Sequence, residues 1–129
     1  DVSNVTDFCD MFRHSAYTGL YGDISDWNVS QGEDFDCMFY YSSFEIDYKL
    51  NWNMSNAKQT PYMFAHTKFN GDVSDWDMSN VRDISGMFRD TNFDGDVERW
   101  DVSNVIYMHN TFLHTPIEDK NNYPAWYKK

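Results

Sequence analysis

The sequence predicts a repeat solenoid of five short coils, carrying parallel β-strands and short helical turns, and three observations predict it. First, one pattern recurs every 24 to 27 residues: an Asx, then Val or Met, then Ser, later Met-Phe, and at the end Trp. Such a period marks units that close a core only against their neighbours. Second, two anchors fix the register. Phe12, Phe39, Phe64, Phe88 and Phe112 follow Met11, Met38, Met63, Met87 and Thr111, and Trp27, Trp52, Trp76, Trp100 and Trp126 close the units. The coils therefore run 1–27, 28–52, 53–76, 77–100 and 101–126 within a single domain, 1–129. Third, 19% of residues are aromatic against 41% hydrophobic, so a few large rings rather than many aliphatic side chains must exclude water, in a long and narrow core.

The coil that begins at Asp77 illustrates the elements in order. Its apolar residues are Met78, Val81, Ile84, Met87, Phe88, Phe93, Val97 and Trp100, which follow neither a period of two nor one of 3.6. The spacing fits short extended pieces joined by tight bends. It predicts strands around 81–84 and 93–98, with a helical turn at 85–88 between them. Ser3, Ser30, Ser55, Ser79 and Ser103 form one column, and Asn4, Gln31, Asn56, Asn80 and Asn104 the next. Stacked at one position, these side chains suit a ladder of coil-to-coil hydrogen bonds. A hydroxyl column of Ser15, Ser42, Thr67, Thr91 and Thr115 follows the Phe and reads as structural too. Two extra residues near Thr18 and Gly19, and the run 45–49 in place of Gly-Asp, predict bulged loops. Pro116, Pro124 and three lysines near the end predict a C-terminal cap over 113–129 that blocks the open edge.

Two columns change character from coil to coil: Thr6, Glu33, Lys58, Arg82 and Ile106, and Cys9, Asp36, Pro61, Ser85 and His109. Positions free to drift face solvent, so the candidate partner-contact face comprises Thr6, Glu33, Lys58, Arg82, Ile106, Asp36 and His109.

The net charge of -11 argues against nucleic acid and anionic membrane surfaces, which require clustered Lys and Arg. No apolar run is long enough for a membrane span, and no signal-like segment is present. The chain starts at Asp1, in the position that follows Trp at later junctions, and we expect a processed product or a fragment whose preceding unit has been cut away. Cys9 and Cys37 lie in neighbouring coils but in adjacent columns. Coils about 4.8 Å apart leave both a disulfide and two free thiols open, and a bridge would imply an oxidising compartment. Asn4, Asn28 and Asn53 each head an Asn-x-Ser/Thr triplet, a glycan acceptor in a secreting eukaryote and otherwise an accident of the repeat.

Cofactors are not expected, calcium being the alternative. Asp7, Asp34 and Asp83 share a column, as do Asp23, Asp72 and Asp96, and stacked carboxylates suit a hard cation. Gln59 and Tyr107 interrupt the first column, however, and Asp is ordinary turn chemistry. His14, His66 and His114 share a column with Tyr41 and Asp90 between them, which sets the rings too far apart for one metal. No nucleophile-and-base arrangement stands out, and so short a rod offers little concavity, so the sequence predicts no enzyme. A Trp column also suits sugar stacking, although a ring recurring at one corner reads as core.

Three strings carry a family resemblance: Asp-Val-Ser-Asn-Val-Thr-Asp-Phe at 1–8, Asp-Met-Ser-Asn-Val-Arg-Asp-Ile-Ser-Gly-Met-Phe-Arg at 77–89, and Asn-Gly-Asp-Val-Ser-Asp-Trp at 70–76. They resemble the roughly 25-residue repeat of bacterial surface proteins and mycoplasma lipoproteins, related to BspA-like leucine-rich repeats, over all five coils. The resemblance implies a leucine-rich-repeat-like solenoid, located extracellularly or on a cell or virion surface, used for adhesion or assembly and without catalytic residues. In that family a Cys often fills the column held here by Ser15, Ser42, Thr67, Thr91 and Thr115, so no cysteine-based feature carries over. The expected function is a non-enzymatic surface module for protein recognition or adhesion, partnered by another protein or by neighbouring subunits. The alternatives are a structural building block of a large extracellular or viral assembly and, below it, a glycan-binding module.

Overall fold

Short polar side chains bend this backbone several times per coil, in a computed structural model that describes residues 1–129. Asp1, Asn28, Asn53, Asp77 and Asp101 each accept the backbone N–H of the Ser two residues on, at 2.9–3.0 Å. Asp7, Asp34 and Asp83 make the same Asx turn at 2.8 Å, and Asp23, Asp72 and Asp96 make it again at 2.8–2.9 Å. The hydroxyl column supplies a fourth bend, since Ser15, Ser42, Thr67 and Thr91 accept the N–H of Tyr17, Phe44, Phe69 and Phe93.

Left-handed residues flank every Met-Phe element. Two positions before the Phe stand Asp10, Cys37, Tyr62, Gly86 and Asn110, with φ of 53 to 61°. Two positions after it stand His14, Tyr41, His66, Asp90 and His114, with φ of 55 to 59°. Between these residues the backbone donors alternate in direction. In the third coil the N–H groups of Thr60, Tyr62, Phe64 and His66 reach the carbonyls of Asp83, Ser85, Met87 and Arg89 in the next coil at 2.9–3.0 Å, whereas Met63 and Ala65 close turns within their own coil. The same set of donors recurs at every junction between coils.

This arrangement corrects the expected fold class. None of the 54 backbone hydrogen bonds lies within a regular helix or strand, and strand-type pairing between coils is limited to isolated parallel bridges one residue wide, along Asp7, Asp34, Gln59, Asp83 and Tyr107 and at Lys49 and Asp72. The strands expected at 81–84 and 93–98 and the helical turn at 85–88 do not form, and there is no sheet. The cause is local: a left-handed residue terminates a helix and also interrupts an extended run, and here one stands on each side of Met-Phe. A single helix, α1 (Pro116–Asp119), is present, N-capped by Thr115.

Aromatic rings hold the stack together. Phe12, Phe39, Phe64, Phe88 and Phe112 lie one above another at centroid spacings of 5.2, 5.6, 5.8 and 5.9 Å, within 10° of parallel, which is the offset stacking that π-quadrupoles prefer. Phe44, Phe69 and Phe93 form a second column, each about one ring thickness from the Phe of its own coil, at 3.9–4.0 Å. Trp52, Trp76 and Trp100 are buried, and their indole N–H groups, with that of Trp126, donate to backbone carbonyls of the preceding coil at 2.8–3.0 Å. Apolar burial and a satisfied polar tip thus coincide at this corner.

The polar ladder runs through asparagine. The side-chain amides of Asn56, Asn80 and Asn104 donate to the carbonyls of Ser30, Ser55 and Ser79 one coil back, at 2.6–2.7 Å. The hydroxyl column instead bonds inside its own coil, Thr67, Thr91 and Thr115 donating to the carbonyls of Phe64, Phe88 and Phe112. At the C-terminal end Tyr123, Trp126 and Tyr127 cross Phe112 at 47–79°, so the parallel stacking stops there. In the first coil an expected bulge is present: Gly19 (φ +86°) and Gly22 (φ +69°), tied to Tyr48 and Tyr17 hydroxyls, hold up exposed Leu20 and Tyr21.

Candidate functional site

A backbone relay aligns the column that drifts most. The N–H groups of Glu33, Lys58, Arg82 and Ile106 donate to the carbonyls of Thr6, Glu33, Lys58 and Arg82 at 2.7–2.9 Å. Five dissimilar side chains are therefore held in one register. Thr6, Lys58, Arg82 and Ile106 are exposed and Glu33 half-buried. With Gln31, Asn56 and Asn80, the first four coils of this strip form an open groove of about 390 Å³ lined only by polar residues. Lys58 Nζ meets a Glu33 carboxylate oxygen at 2.5 Å. Arg13, Arg89 and Arg99 pair with Asp10, Asp90 and Asp75, and Arg82 is the one arginine that meets no carboxylate. Beyond Arg82 the surface turns apolar, with Ile106 67% and Tyr107 52% exposed.

The second drifting column behaves differently. Pro61 and Ser85 are buried and Cys9 and Asp36 half-buried, each standing just before a left-handed residue of its coil. Only exposed His109 extends the strip, its ring 6.4 Å from that of Tyr107. Asp36, unlike Glu33, does not line the groove.

Cys9 and Cys37 are both free. Burial, reinforced by the carboxylates of Asp10, Asp34 and Asp36, pushes the Cys9 thiol up to about 11, and burial with Asp36 pushes Cys37 up to about 12. Both are protonated at neutral pH, which makes them poor nucleophiles and poor metal ligands. Asp7, Cys9 and Asp34 do bring ligand atoms within 4.8 Å of one another. Oxygens of both aspartates are already spent on Asx turns, and exposed acidic groups gather in this way without an ion. Asn4, Asn28 and Asn53 are exposed, the last two also serving as turn acceptors.

The histidine column holds a link that spacing alone misses. Asp90, between His66 and His114 in the column, touches both: His114 Nδ1 at 2.8 Å and His66 Nδ1 at 3.4 Å. Tyr41 stacks on His66 at 4.1 Å and on His14 at 5.5 Å, so these rings bind one another. Burial holds His66 below its ordinary value, against the attraction of Asp90. Asp90 itself sits below the usual carboxylate range: burial pushes it up, but hydrogen bonds from His114 and Arg89 outweigh that. The available signal was an acidic residue interposed in a histidine column.

No helix is long and apolar enough to cross a membrane. Two overlapping stretches, residues 1–68 and 43–126, match the model of one family, described as "Mycoplasma protein of unknown function, DUF285". Neither the curated proteins nor the solved structures compared with the chain yield a match.

Proposed function

The chain belongs to the DUF285 family, described as mycoplasma proteins of unknown function, and we propose that it is a non-enzymatic surface module, related to the BspA-like surface repeats, that recognises or adheres to a protein partner outside the cell. One observation carries the reading. The column of Thr6, Glu33, Lys58, Arg82 and Ile106 is held in register by coil-to-coil backbone bonds, yet runs from hydroxyl to acid to two cations to an apolar side chain. A rigid frame with interchangeable outward side chains suits recognition, since partner choice depends on which groups line the surface and preorganisation limits the entropic cost of binding. The test is paired substitution of Lys58 and Arg82 by Gln. Loss of partner capture with unchanged melting supports the reading, and capture that survives the double variant refutes it.

Assembly into a larger structure is the second reading, and a separate observation favours it. The carbonyls of Asp7, Cys9, Met11 and Arg13, whose counterparts in later coils accept inter-coil bonds, accept no backbone hydrogen bond, and Phe12 and Trp27 are only half-buried. An edge of this kind can be completed by a further coil of the same protein or by another chain. Concentration-dependent growth in light scattering would support assembly, and a monomer at every concentration would count against it. For glycan binding the Trp faces would have to be open, and burial of Trp52, Trp76 and Trp100 opposes it.

A further inference from the structure

We propose that the strip binds an extended acidic peptide segment, whose carboxylate pairs with Arg82 while an adjacent apolar side chain rests on Ile106. This rests on the recognition reading above and names the partner's chemistry. Acidic residues outnumber basic ones 21 to 10 in this chain, and among the lysines Lys49, Lys58 and Lys120 each meet a carboxylate while Lys68, Lys128 and Lys129 do not. Three of the four arginines do, at 3.2–3.6 Å. Arg82 is exposed and lies between Lys58, which already has Glu33, and Ile106, which is apolar. A guanidinium presents paired N–H donors in the geometry of a carboxylate, and here they are unspent.

The surroundings of Arg82 suit a peptide rather than a free anion. The side-chain amide of Asn80 is fixed by its bond to the Ser55 carbonyl at 2.7 Å, and that of Asn56 by the Ser30 carbonyl at 2.7 Å. Each keeps one N–H and its oxygen, a complement for the C=O and N–H of a peptide group. On the other side, Ile106 and Tyr107 both donate their backbone N–H to the Arg82 carbonyl, at 2.7 and 3.1 Å. The exposed apolar pair is therefore bonded through its backbone to Arg82, in the coil that follows it. A segment with Glu or Asp next to a Leu-like residue satisfies cation, amides and apolar patch together. Two cations are too few for a nucleic acid backbone on a chain this acidic.

The test is fluorescence anisotropy with two labelled peptides that differ only in carrying glutamate or glutamine beside leucine. The glutamate peptide is expected to bind about fivefold more tightly, the worth of one exposed ion pair, and added salt to erase the difference. Arg82→Gln should abolish the preference, and Ile106→Ser should weaken both peptides alike, with melting unchanged in each variant. Equal binding of the two peptides, or a preference that survives Arg82→Gln, overturns the acidic assignment. If Ile106→Ser still weakens both in that case, the strip remains the recognition surface. No binding of the glutamate peptide overturns the inference, and binding untouched by either substitution overturns the strip with it.

Discussion

Removing one ring from the middle of the Phe column should cost far more than removing one from its end. Phe64 is fully buried and has ring neighbours on both sides: Phe39 at 5.6 Å, Phe88 at 5.8 Å, Phe69 at 3.9 Å and Trp76 at 6.1 Å. Truncation to Ala loses the transfer free energy of the ring and leaves a cavity that rigid neighbouring coils cannot close, about 3–5 kcal/mol. Against a total stability of about 5–15 kcal/mol, that is a large share. Phe12 occupies the same column, but it is half-buried and has a coil only on one side, through Phe39 at 5.2 Å. Its truncation should cost about 1–2 kcal/mol, because part of its area already lies in water. Urea unfolding followed by circular dichroism measures both. A second signature is expected for Phe64→Ala: in a one-dimensional array a central defect uncouples the coils on either side, so the transition should broaden and its slope fall. Equal costs for the two variants, or a cost for Phe64→Ala below about 1 kcal/mol, would refute the claim that stacked rings hold the coils together.

Trp76→Phe keeps most of the apolar area but removes the indole bond to the Leu50 carbonyl at 2.9 Å, which then keeps only the Trp52 backbone N–H; a loss of about 0.5–1.5 kcal/mol is expected in chemical denaturation, and unchanged stability would show that the bond contributes nothing. With thiols held at about 11 and about 12, Cys9 and Cys37 should react with Ellman's reagent at neutral pH about a hundredfold more slowly than free cysteine; a comparable rate contradicts the protonated state. Acid should destabilise the fold in two steps. His66 is held below 6.5 in the folded chain, so its contribution is complete above pH 6.5 and is lost as pH falls through the folded value. Asp90 is held below 3.8, so its contribution persists until pH drops below 3.8 and is lost as pH falls through its folded value. His66→Gln should remove the upper step and Asp90→Asn should shrink the lower one, which Asp23, Asp72 and Asp101 share, in melting curves taken against pH, and an upper step that survives His66→Gln would place it elsewhere.

The period, the ring columns and the outward strip were legible because each leaves a chemical trace: Phe64 and Trp76 repeat at fixed spacing, while Glu33, Lys58 and Ile106 share one column and no chemistry. The backbone between them was not legible. Left-handed conformation is announced by glycine, asparagine or aspartate, which stand at Asp10, Gly86, Asp90 and Asn110, whereas Cys37, Tyr41, Tyr62, His14, His66 and His114 adopt it with no such signal. Without that knowledge, Val81 to Ile84 reads as a strand and Gly86-Met87-Phe88 as a helical turn. The second drifting column misled for a related reason. Variation from Cys9 to Pro61 to Ser85 suggested solvent, but these are small or compact side chains that fit a half-buried shelf. Asp90 was visible as an interruption between histidines, and its reach to both of them depended on coil spacing and on its own left-handed backbone.

Amide chemical-shift mapping with the labelled chain and the glutamate peptide tests most directly the claim that the frame is fixed and the drifting strip does the recognising. Shifts concentrated at Lys58, Asn80, Arg82, Ile106 and Tyr107, with the indole signals of Trp52, Trp76 and Trp100 unmoved, are the predicted result. Shifts centred on the indoles, or on the Leu20 and Tyr21 bulge with the strip silent, would contradict it.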